Sequence, residues 1–386
     1  MTIVVLGFRE GLVEAAAEFG DVLVIADHQK PGLEKHRHLM VDDIASIDMV
    51  TAALGGLEGF MPSAVVTAHE QGVSTCHQLR RRYRHPAGAS SATVLRFRDK
   101  KVQKDALAPA TPRARCEELD IFHSEYSQAV ARVGDKFVLK PADGFGSVAT
   151  RIVASEAEYD SFRAEFSSRG STRFLAESYI SGDEWHVDGV WSKGSFRWSA
   201  VSAYTNPPIT WVQGQAVGGV PLAGAEDVAE QAAISFVTET LTQLEAPDAV
   251  VHVEIFRRPD GGYFFSEAAI RVAGAFVPEV LDLTFGRNLY RAEVELALGL
   301  MPETAVATPI NGVFGYTYLL RTEHSTKTEA QLFQEHQILK GEYPSADRGR
   351  AGAYGRWGYA ILRGDDHPEV VHRLGELTRA AEGVPS

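Results

Sequence analysis

The stretch VVHVEIFRRPDGGYFFSEAAIR (residues 250–271) carries two glutamates, Glu254 and Glu267, on two runs that read as β-strands. PDGG separates the runs, so we predict that they pair as a hairpin. If Asp260-Gly261 forms a two-residue turn, Glu254 lies directly opposite Glu267. Like charges placed opposite each other destabilise a sheet, so the pair calls for an explanation.

Alternate side chains of a strand share one face. We expect two sets on the face of the glutamates: His252, Glu254 and Phe256 from the first strand, and Phe265, Glu267, Ala269 and Arg271 from the second. A hard divalent cation prefers carboxylate oxygen, and such an ion between the two glutamates would remove their repulsion. The pair therefore predicts a Mg²⁺ site that handles nucleotide phosphates.

Composition restricts the classes of partner. The chain has 386 residues and a net charge of −13, which allows two or three domains and disfavours nucleic-acid or anionic-membrane binding. No run of eighteen apolar residues predicts a membrane span, and MTIVVLGFREG (1–11) predicts a core strand rather than a signal peptide. Cys76 and Cys116 lack paired spacing, so we expect a cytoplasmic protein, with a homodimer as the commonest assembly.

One segment is strongly basic, in contrast to the acidic net charge of the whole chain. Between Arg80 and Lys104 the chain has nine lysines or arginines and one acid, Asp99. The simple interpretation is a solvated helix face followed by a basic linker. Aromatic interleaving typical of single-strand binding is absent, so the functional alternative is that one or two of these cations meet the phosphates of a nucleotide.

The pattern of strands and helices predicts three parts in an α/β and α+β protein. Residues 1–95 alternate buried strands with helices, which indicates a parallel α/β domain without a GxGxxG fingerprint. Residues 110–180 indicate a compact α+β module. Residues 181–386 form the remaining domain, and they contain a long Pro- and Gly-rich loop (206–224) of the kind that is usually functional or mobile.

Lysines occur beside two potential phosphate-binding features. Lys100 and Lys104 lie about one helical turn apart and can face one ligand, or they are simply exposed helix lysines. A predicted strand brings Lys140 next to a glycine-rich turn containing Gly144, Gly146 and Ser147. Backbone N–H groups in such a turn can bind phosphate, although an ordinary hairpin turn is the alternative.

Three further residues suggest recognition of a nucleoside. Glu177 and the backbone up to Ile180 could offer an acceptor and a donor to a base edge, and Glu184 could take ribose hydroxyls. Two surface acids around a turn are the alternative. Arg271 suits a carboxylate or an acyl phosphate, or it pairs with Glu267. His252 is interpreted as a core histidine rather than a metal ligand.

Taken in order, these segments resemble the ATP-grasp superfamily, in particular its carboxylate–amine ligases such as the L-amino-acid ligases. The resemblance rests on Asp99-Lys100, Lys140-Pro141 with its glycine loop, Glu177 with Glu184, His252-x-Glu254, and Glu267 with Arg271. It implies an ATP-grasp fold with an N-terminal parallel α/β domain (1–95), a central lid domain (110–180) and a C-terminal mixed-sheet catalytic domain (181–386).

The resemblance also implies a role for each site residue. Lys100 and Lys140 would contact the phosphates of ATP under the lid loop of Gly144, Gly146 and Ser147. Glu177 and Ile180 would bind adenine, Glu184 ribose, Glu254 and Glu267 Mg²⁺ or Mn²⁺, and Arg271 the acyl phosphate or the substrate carboxylate. The family usually has asparagine two residues after the second glutamate, where this chain has Ala269. Metal binding would then need water or a bidentate Glu267, or else catalysis is lost.

The implied function is an ATP-dependent ligase. It would join a small carboxylate to an amine through an acyl phosphate, release ADP and phosphate, and form a dipeptide or amide from amino-acid-like substrates. The alternatives are an ATP-grasp carboxylase or purine-synthesis type of enzyme and a non-catalytic nucleotide-binding protein. We expect the substrate pocket between the hairpin and the loop 206–224, with Tyr204, Trp211 and Phe276 as walls and Arg356 as a further candidate.

Overall fold

Three β-sheets organise the chain in the computed structural model. The structure describes residues 1–144, 146–166, 173–304, 307–344 and 357–384, without the side chain of Val212. Within these ranges, no helix combines the length and the apolar character that crossing a membrane requires.

The first sheet is parallel and has helices packed against it. Its segment contains β1 (Thr2–Leu6), α1 (Glu10–Ala17), β2 (Asp21–Ala26), β3 (His38–Met40), α2 (Ile47–Gly55), β4 (Ala64–Thr67) and α3 (Val73–Arg82). The strand order is β3-β2-β1-β4. The chain therefore places β2 and β3 on one side of β1 and then crosses over to place β4 on the other side. The buried apolar runs at 2–7, 22–27 and 64–68 predicted three of the strands. β3 is a short, partly exposed edge strand and was not recognised.

The second sheet is antiparallel. Two short helices, α4 (Ser91–Arg96) and α5 (Lys100–Asp105), lead to β5 (Cys116–Leu119), α6 (Tyr126–Val133), β6 (Phe137–Pro141), β7 (Arg151–Val153), α7 (Glu156–Phe166) and β8 (Phe174–Ser178). The order is β5-β8-β6-β7. Phe137, Phe162 and Phe174 are buried between the sheet and its helices, which gives this part its own core.

The third sheet has eight strands. Its segment contains β9 (Asp183–Ser192), β10 (Ser195–Tyr204), β11 (Gly218–Pro221), α8 (Asp227–Gln243), β12 (Ala249–Arg257), β13 (Tyr263–Ala269), α9 (Val277–Phe285), α10 (Leu289–Ala297), β14 (Val313–Leu320), α11 (Glu329–His336), β15 (Lys340–Glu342), β16 (Trp357–Gly364) and α12 (His367–Glu382). The order is β13-β12-β9-β10-β11-β14-β16-β15. Every pairing between its described strands is antiparallel, so the expected mixed sheet is corrected to an antiparallel one.

Both faces of the large sheet are covered. Val190, Val250 and Tyr316 belong to the core shared with the N-terminal sheet and helices α9 and α10. Trp185 and Val187 belong to the core shared with α8. A buried ion pair also joins the first and third parts of the chain, since Arg80 of α3 lies 2.5 Å from Glu293 of α10. The domain limits at 95, 110 and 180 stay a prediction.

His77 makes folding stability depend on pH. Its Nδ1 accepts the backbone N–H of Ala89 at 3.2 Å, which requires a neutral ring. Burial, aided by nearby Arg80, lowers the pKa of His77 to about 3, against about 6.5 in the unfolded chain. The unfolded state therefore binds more protons between these values. The contribution of His77 is complete above pH 6.5 and is lost as pH falls towards 3.

We expect the free energy of unfolding to fall between pH 7.5 and pH 5, with about 2 kcal/mol of the fall due to His77. His77→Gln should reduce this fall, because its amide can accept the same N–H without a proton to gain. Urea unfolding at the two pH values measures the difference, and exposed His123→Gln is the control. An unchanged fall in His77→Gln would contradict the assignment.

Candidate active site

The eleven site residues predicted from the sequence all line one cleft of about 500 Å³. They are Lys100, Lys140, Gly144, Gly146, Ser147, Glu177, Ile180, Glu184, Glu254, Glu267 and Arg271. The cleft lies where the second sheet meets β12 and β13 of the large sheet. The individual roles of these residues stay predictions, while their common location is a property of the fold.

Glu254 pairs directly with Glu267 across β12 and β13, as predicted. The expected two-residue turn is wrong, however. Arg258 N–H bonds to Gly262 O and Gly261 N–H bonds to Arg258 O, each at 2.9 Å, so the loop has three residues and Gly261 adopts a φ of 83°. The register shifts by one residue beyond Glu254, and this shift compensates for the longer loop.

The register shift also changes which side chains share a face. Ile255 pairs with Phe265, so Ser266 is the extra residue of a β-bulge. Phe265 is fully buried in the core with Val253 and Ile255. The expectation that Phe265 lies on the face of Glu267 is therefore wrong, because the bulge interrupts the alternation between them.

A third carboxylate joins the pair. Glu184 lies on β9, whose neighbour in the sheet is β12. Burial and the charges of Glu254 and Glu267 raise the pKa of Glu184 well above its usual value. Burial also acts to raise the pKa of Glu267, but Lys100 and Lys140 outweigh it and hold that pKa at about 2. Negative charge is therefore concentrated here and only partly offset by lysines.

Helix α5 positions Lys100. The carboxylate of Asp99 accepts the N–H groups of Lys101 and Val102 at 3.0 Å, which caps the helix and places Lys100 in its first turn. Gln103 bonds both backbone groups of Ala268, at 2.8 and 3.0 Å, so α5 is fixed against β13. Lys100 Nζ lies 3.3 Å from Glu267 and donates to Gly144 O at 2.6 Å.

Glu177 is held by two lysines. Lys104 Nζ lies 2.8 Å and Lys140 Nζ 3.0 Å from its Oε2. Lys104 is buried, so the interpretation of an exposed helix lysine does not hold for it. Burial acts to lower the pKa of Lys140, but Glu177 and Glu267 outweigh it and raise that pKa. Glu177 Oε1 is buried and has no hydrogen-bond partner among the described residues.

The glycine loop connects β6 to β7 beside these lysines. Gly146 has a φ of 60° and Ser147 a φ of 56°. This left-handed conformation costs glycine little, and a side-chain carbon added at Gly146 would meet no described atom within 4 Å. Phe145 lies outside the described residues. Whether the loop acts as a lid stays a prediction.

Arg271 pairs with Glu70 rather than with Glu267. Its guanidinium and that of Arg98 both contact the buried carboxylate of Glu70. Burial acts to raise the pKa of Glu70, but the two arginines lower it further than burial raises it. The sequence interpretation missed Glu70, although its position just after β4, at the carboxyl edge of the parallel sheet, was a usable signal.

A buried hydrogen-bond network supports Glu254. Its Oε1 accepts the hydroxyl of Tyr204 at 3.0 Å and lies 3.4 Å from His252 Nε2. His252 Nδ1 lies 2.8 Å from Asp188, which also contacts His186. His186, Asp188 and His252 are close enough together to hold a metal ion, and they bond one another; the interpretation of His252 as a core histidine stays a prediction. His186 and Asp188 alternate with Glu184 on β9, and this spacing in the sequence could have indicated that the three side chains share a face.

Two of the three residues expected as substrate walls line the cleft, and their role stays a prediction. Tyr204 and Trp211 line the cleft. Phe276 is not among its lining residues, and it stacks on Tyr359 with ring centroids 4.0 Å apart. Arg356 lies outside the described residues. Tyr316 and Tyr318 of β14 also line the cleft, and sequence reasoning had not selected them.

Solved structures resemble the whole chain. The L-amino acid ligase of Bacillus licheniformis gives a TM-score of 0.75 at 16% identity and covers 97% of this chain and 96% of that one. The carboxyaminoimidazole ribonucleotide synthase of Aspergillus clavatus, solved with ATP, gives 0.75 at 16% identity and covers 98% of both chains. At these identities the comparison establishes the fold.

Sequence similarity to curated proteins is weaker. The L-arginine-specific L-amino acid ligase of Bacillus subtilis is 24% identical over 216 residues, which are 54% of this chain and 51% of that protein. The match thus spans about half the length of this relative. No family model matches the chain. The three sheets, their order along the chain and the full-length structural similarity show that the chain has the fold of these ligases, the ATP-grasp fold.

Proposed function

We propose that the protein is an ATP-dependent ligase that joins a carboxylate to an amine through an acyl phosphate and releases ADP and phosphate. The observation that carries the proposal is the opposed pair of Glu254 and Glu267 within reach of lysines in one cleft. Lys100 lies 3.3 Å from Glu267, and Lys140 acts on the same carboxylate. Such a cleft combines metal-binding oxygens with cations for phosphate.

The donor set fits a hard divalent cation. Glu254 and Glu267 offer carboxylate oxygens from adjacent strands, and the raised pKa of Glu184 reflects the negative charge concentrated beside them. Mg²⁺ and Mn²⁺ both accept such ligands. The bound ion would neutralise charge on the phosphates of ATP during transfer. With Ala269 offering no ligand atom, water or a bidentate Glu267 would complete its coordination.

The other end of the cleft fits ATP. Lys140 and Lys100 would bind phosphate oxygens below the loop at Gly146. Val138, Ile152 and Ile180 line the cleft there and offer an apolar surface for adenine. The partnerless Oε1 of Glu177 is a buried acceptor, and buried acceptors normally find a donor such as an exocyclic amino group.

The reaction needs positioning rather than a nucleophilic side chain. A substrate carboxylate held at Arg271 would attack the γ-phosphorus of ATP, and the bond between that phosphorus and the ADP oxygen would break. The amine would then attack the acyl carbon. A carbon–nitrogen bond forms, the bond from carbon to the phosphate oxygen breaks, and the amine gives up a proton to solvent or phosphate. Excluding water from the cleft would protect the acyl phosphate.

The two alternatives differ in what they require. A carboxylase or purine-synthesis type of enzyme would depend on bicarbonate or a ribonucleotide for ADP release. A non-catalytic protein would bind ATP without turning it over, and the substitution Ala269→Asn would not produce turnover. ADP release with pools of amino acids and without bicarbonate supports the ligase.

Glu267→Gln should lower ADP release at least 100-fold, because the change removes a metal ligand, and the protein should still fold, with some stability lost because the attraction of Glu267 to Lys100 and Lys140 is removed. Coupled ADP release and urea unfolding measure the two effects. Asp260→Asn, at the exposed tip of the same hairpin, is the control and should keep full activity. Wild-type turnover in Glu267→Gln would mean that the metal site is misplaced.

Lys140→Ala should weaken ATP binding about tenfold or more, because a charge-assisted contact with phosphate is lost. Calorimetric titration with a non-hydrolysable ATP analogue measures the affinity. Lys101→Ala removes a lysine that pairs with Asp105 on the outer side of α5, and its affinity should not change. If Lys140→Ala and the wild type bind the ATP analogue with equal affinity, Lys140 does not contact ATP.

A further inference from the structure

The charged residues of the cleft separate two apolar ends. The described lining side chains with charge are Glu70, Lys100, Lys104, Lys140, Glu177, Glu184, Glu254, Glu267 and Arg271. One apolar end belongs to the second sheet and includes Val138 and Ile152. The other includes Tyr316 and Tyr318 on β14. In the large sheet β14 lies four strand positions from β12, but the two regions adjoin, since burial together with Tyr318, Asp188 and Glu254 raises the pKa of Tyr316 well above its usual value.

Aromatic rings form the wall at the second end. We call Trp211, Tyr316, Tyr318, Trp357, Phe276 and Tyr359 the aromatic wall. Trp211 stacks on Trp357 with centroids 3.8 Å apart and meets the edge of Tyr318 at 4.8 Å. Phe276, stacked on Tyr359, also approaches Tyr316 at 5.9 Å. Because the rings pack on one another, they hold a fixed surface, and Trp211, Tyr316 and Tyr318 present it to the cleft.

The described residues at this end of the cleft include no charged side chain. Beside the aromatic wall they are Ile209, Thr210, Val217, Gly274, Ala275 and Val277. Near Tyr316, Glu279 Oε1 contacts Arg9 at 3.4 Å and accepts the hydroxyl of Tyr290 at 3.1 Å, whereas its Oε2 is buried without a hydrogen-bond partner among the described residues. A phosphate bound here would meet no lysine or arginine side chain among the described lining residues of this end, which is costly in a desolvated site.

The chain connects the charged centre to the aromatic wall. Arg271 follows β13, and the next residues, Gly274 and Ala275, line the cleft and lead to Val277 at the start of α9. A substrate with its carboxylate at Arg271 would therefore extend its remaining groups along this segment towards Tyr318.

We infer that the carboxylate substrate is an amino acid with a bulky apolar side chain, aromatic or large aliphatic, which packs against the aromatic wall. The inference rests on the proposed function and narrows its substrate class. It disfavours a ribonucleotide, whose phosphate and hydroxyls need polar partners.

The test measures ADP release with one amino acid at a time as the acid. Alaninamide serves as the amine, since its blocked carboxyl group cannot be activated. We expect kcat/KM for phenylalanine, leucine and methionine to exceed that for glycine, aspartate and arginine by tenfold to a hundredfold, because apolar pockets discriminate on this scale. A preference for arginine, aspartate or glycine would overturn the inference and leave the ligase proposal standing.

A variant links the preference to the wall. Trp211→Ala should raise KM for phenylalanine about tenfold, leave KM for ATP unchanged and reduce the preference over glycine. Trp211→Phe keeps a ring and should retain most of the preference, and Tyr83→Ala, an aromatic deletion outside the cleft lining, should behave as wild type. An unchanged KM for phenylalanine in Trp211→Ala would overturn the role of the wall. No ADP release with any acid would overturn the proposed function and this inference together.

Discussion

The repulsion between Glu254 and Glu267 is the constraint around which this structure is arranged. Two carboxylates opposite each other on paired strands need positive charge nearby. That charge comes from outside the hairpin, with Lys100 on α5 and Lys140 on the second sheet. Three separate parts of the chain therefore meet at one point, and the two lysines offset the electrostatic cost there. The same arrangement collects the groups that metal and phosphate chemistry requires.

The local pattern of apolar and polar residues predicted many of the strands and the position of the two glutamates. Buried apolar runs identified the N-terminal strands, and alternation along β12 and β13 placed the glutamates opposite each other. The predicted pairing of Glu254 with Glu267 is correct because two deviations from the predicted hairpin cancel. The loop has three residues instead of two, and the bulge at Ser266 shifts the register back by one residue. Loop length and bulges depend on backbone hydrogen bonds that side-chain alternation does not encode. Phe265 was misplaced for that reason.

Partners far apart in sequence could not be predicted from it. Arg271 was assigned to Glu267 or a substrate, whereas its carboxylate is Glu70, 201 residues away. Lys104 bonds Glu177 across 73 residues, and His252 bonds Asp188 across 64. Each pair forms because the fold brings distant segments together, on adjacent strands in the case of His252 and Asp188, and leaves each member as the other's partner. The spacing of residues within a single sequence carries no information about such pairs.

Helix α5 is bonded to two sheets at once. Gln103 joins it to Ala268 of the large sheet, and the backbone N–H of Lys100 joins it to Ala142, just after β6 of the small one. A rotation of the small sheet as a unit must break the bond to Ala142 or pull α5 from its place on β13. In the second case Lys100 would leave Glu267 as the cleft widens. In that case α5 would couple the two events, so that the entry of a nucleotide and the departure of Lys100 from the carboxylates would occur together.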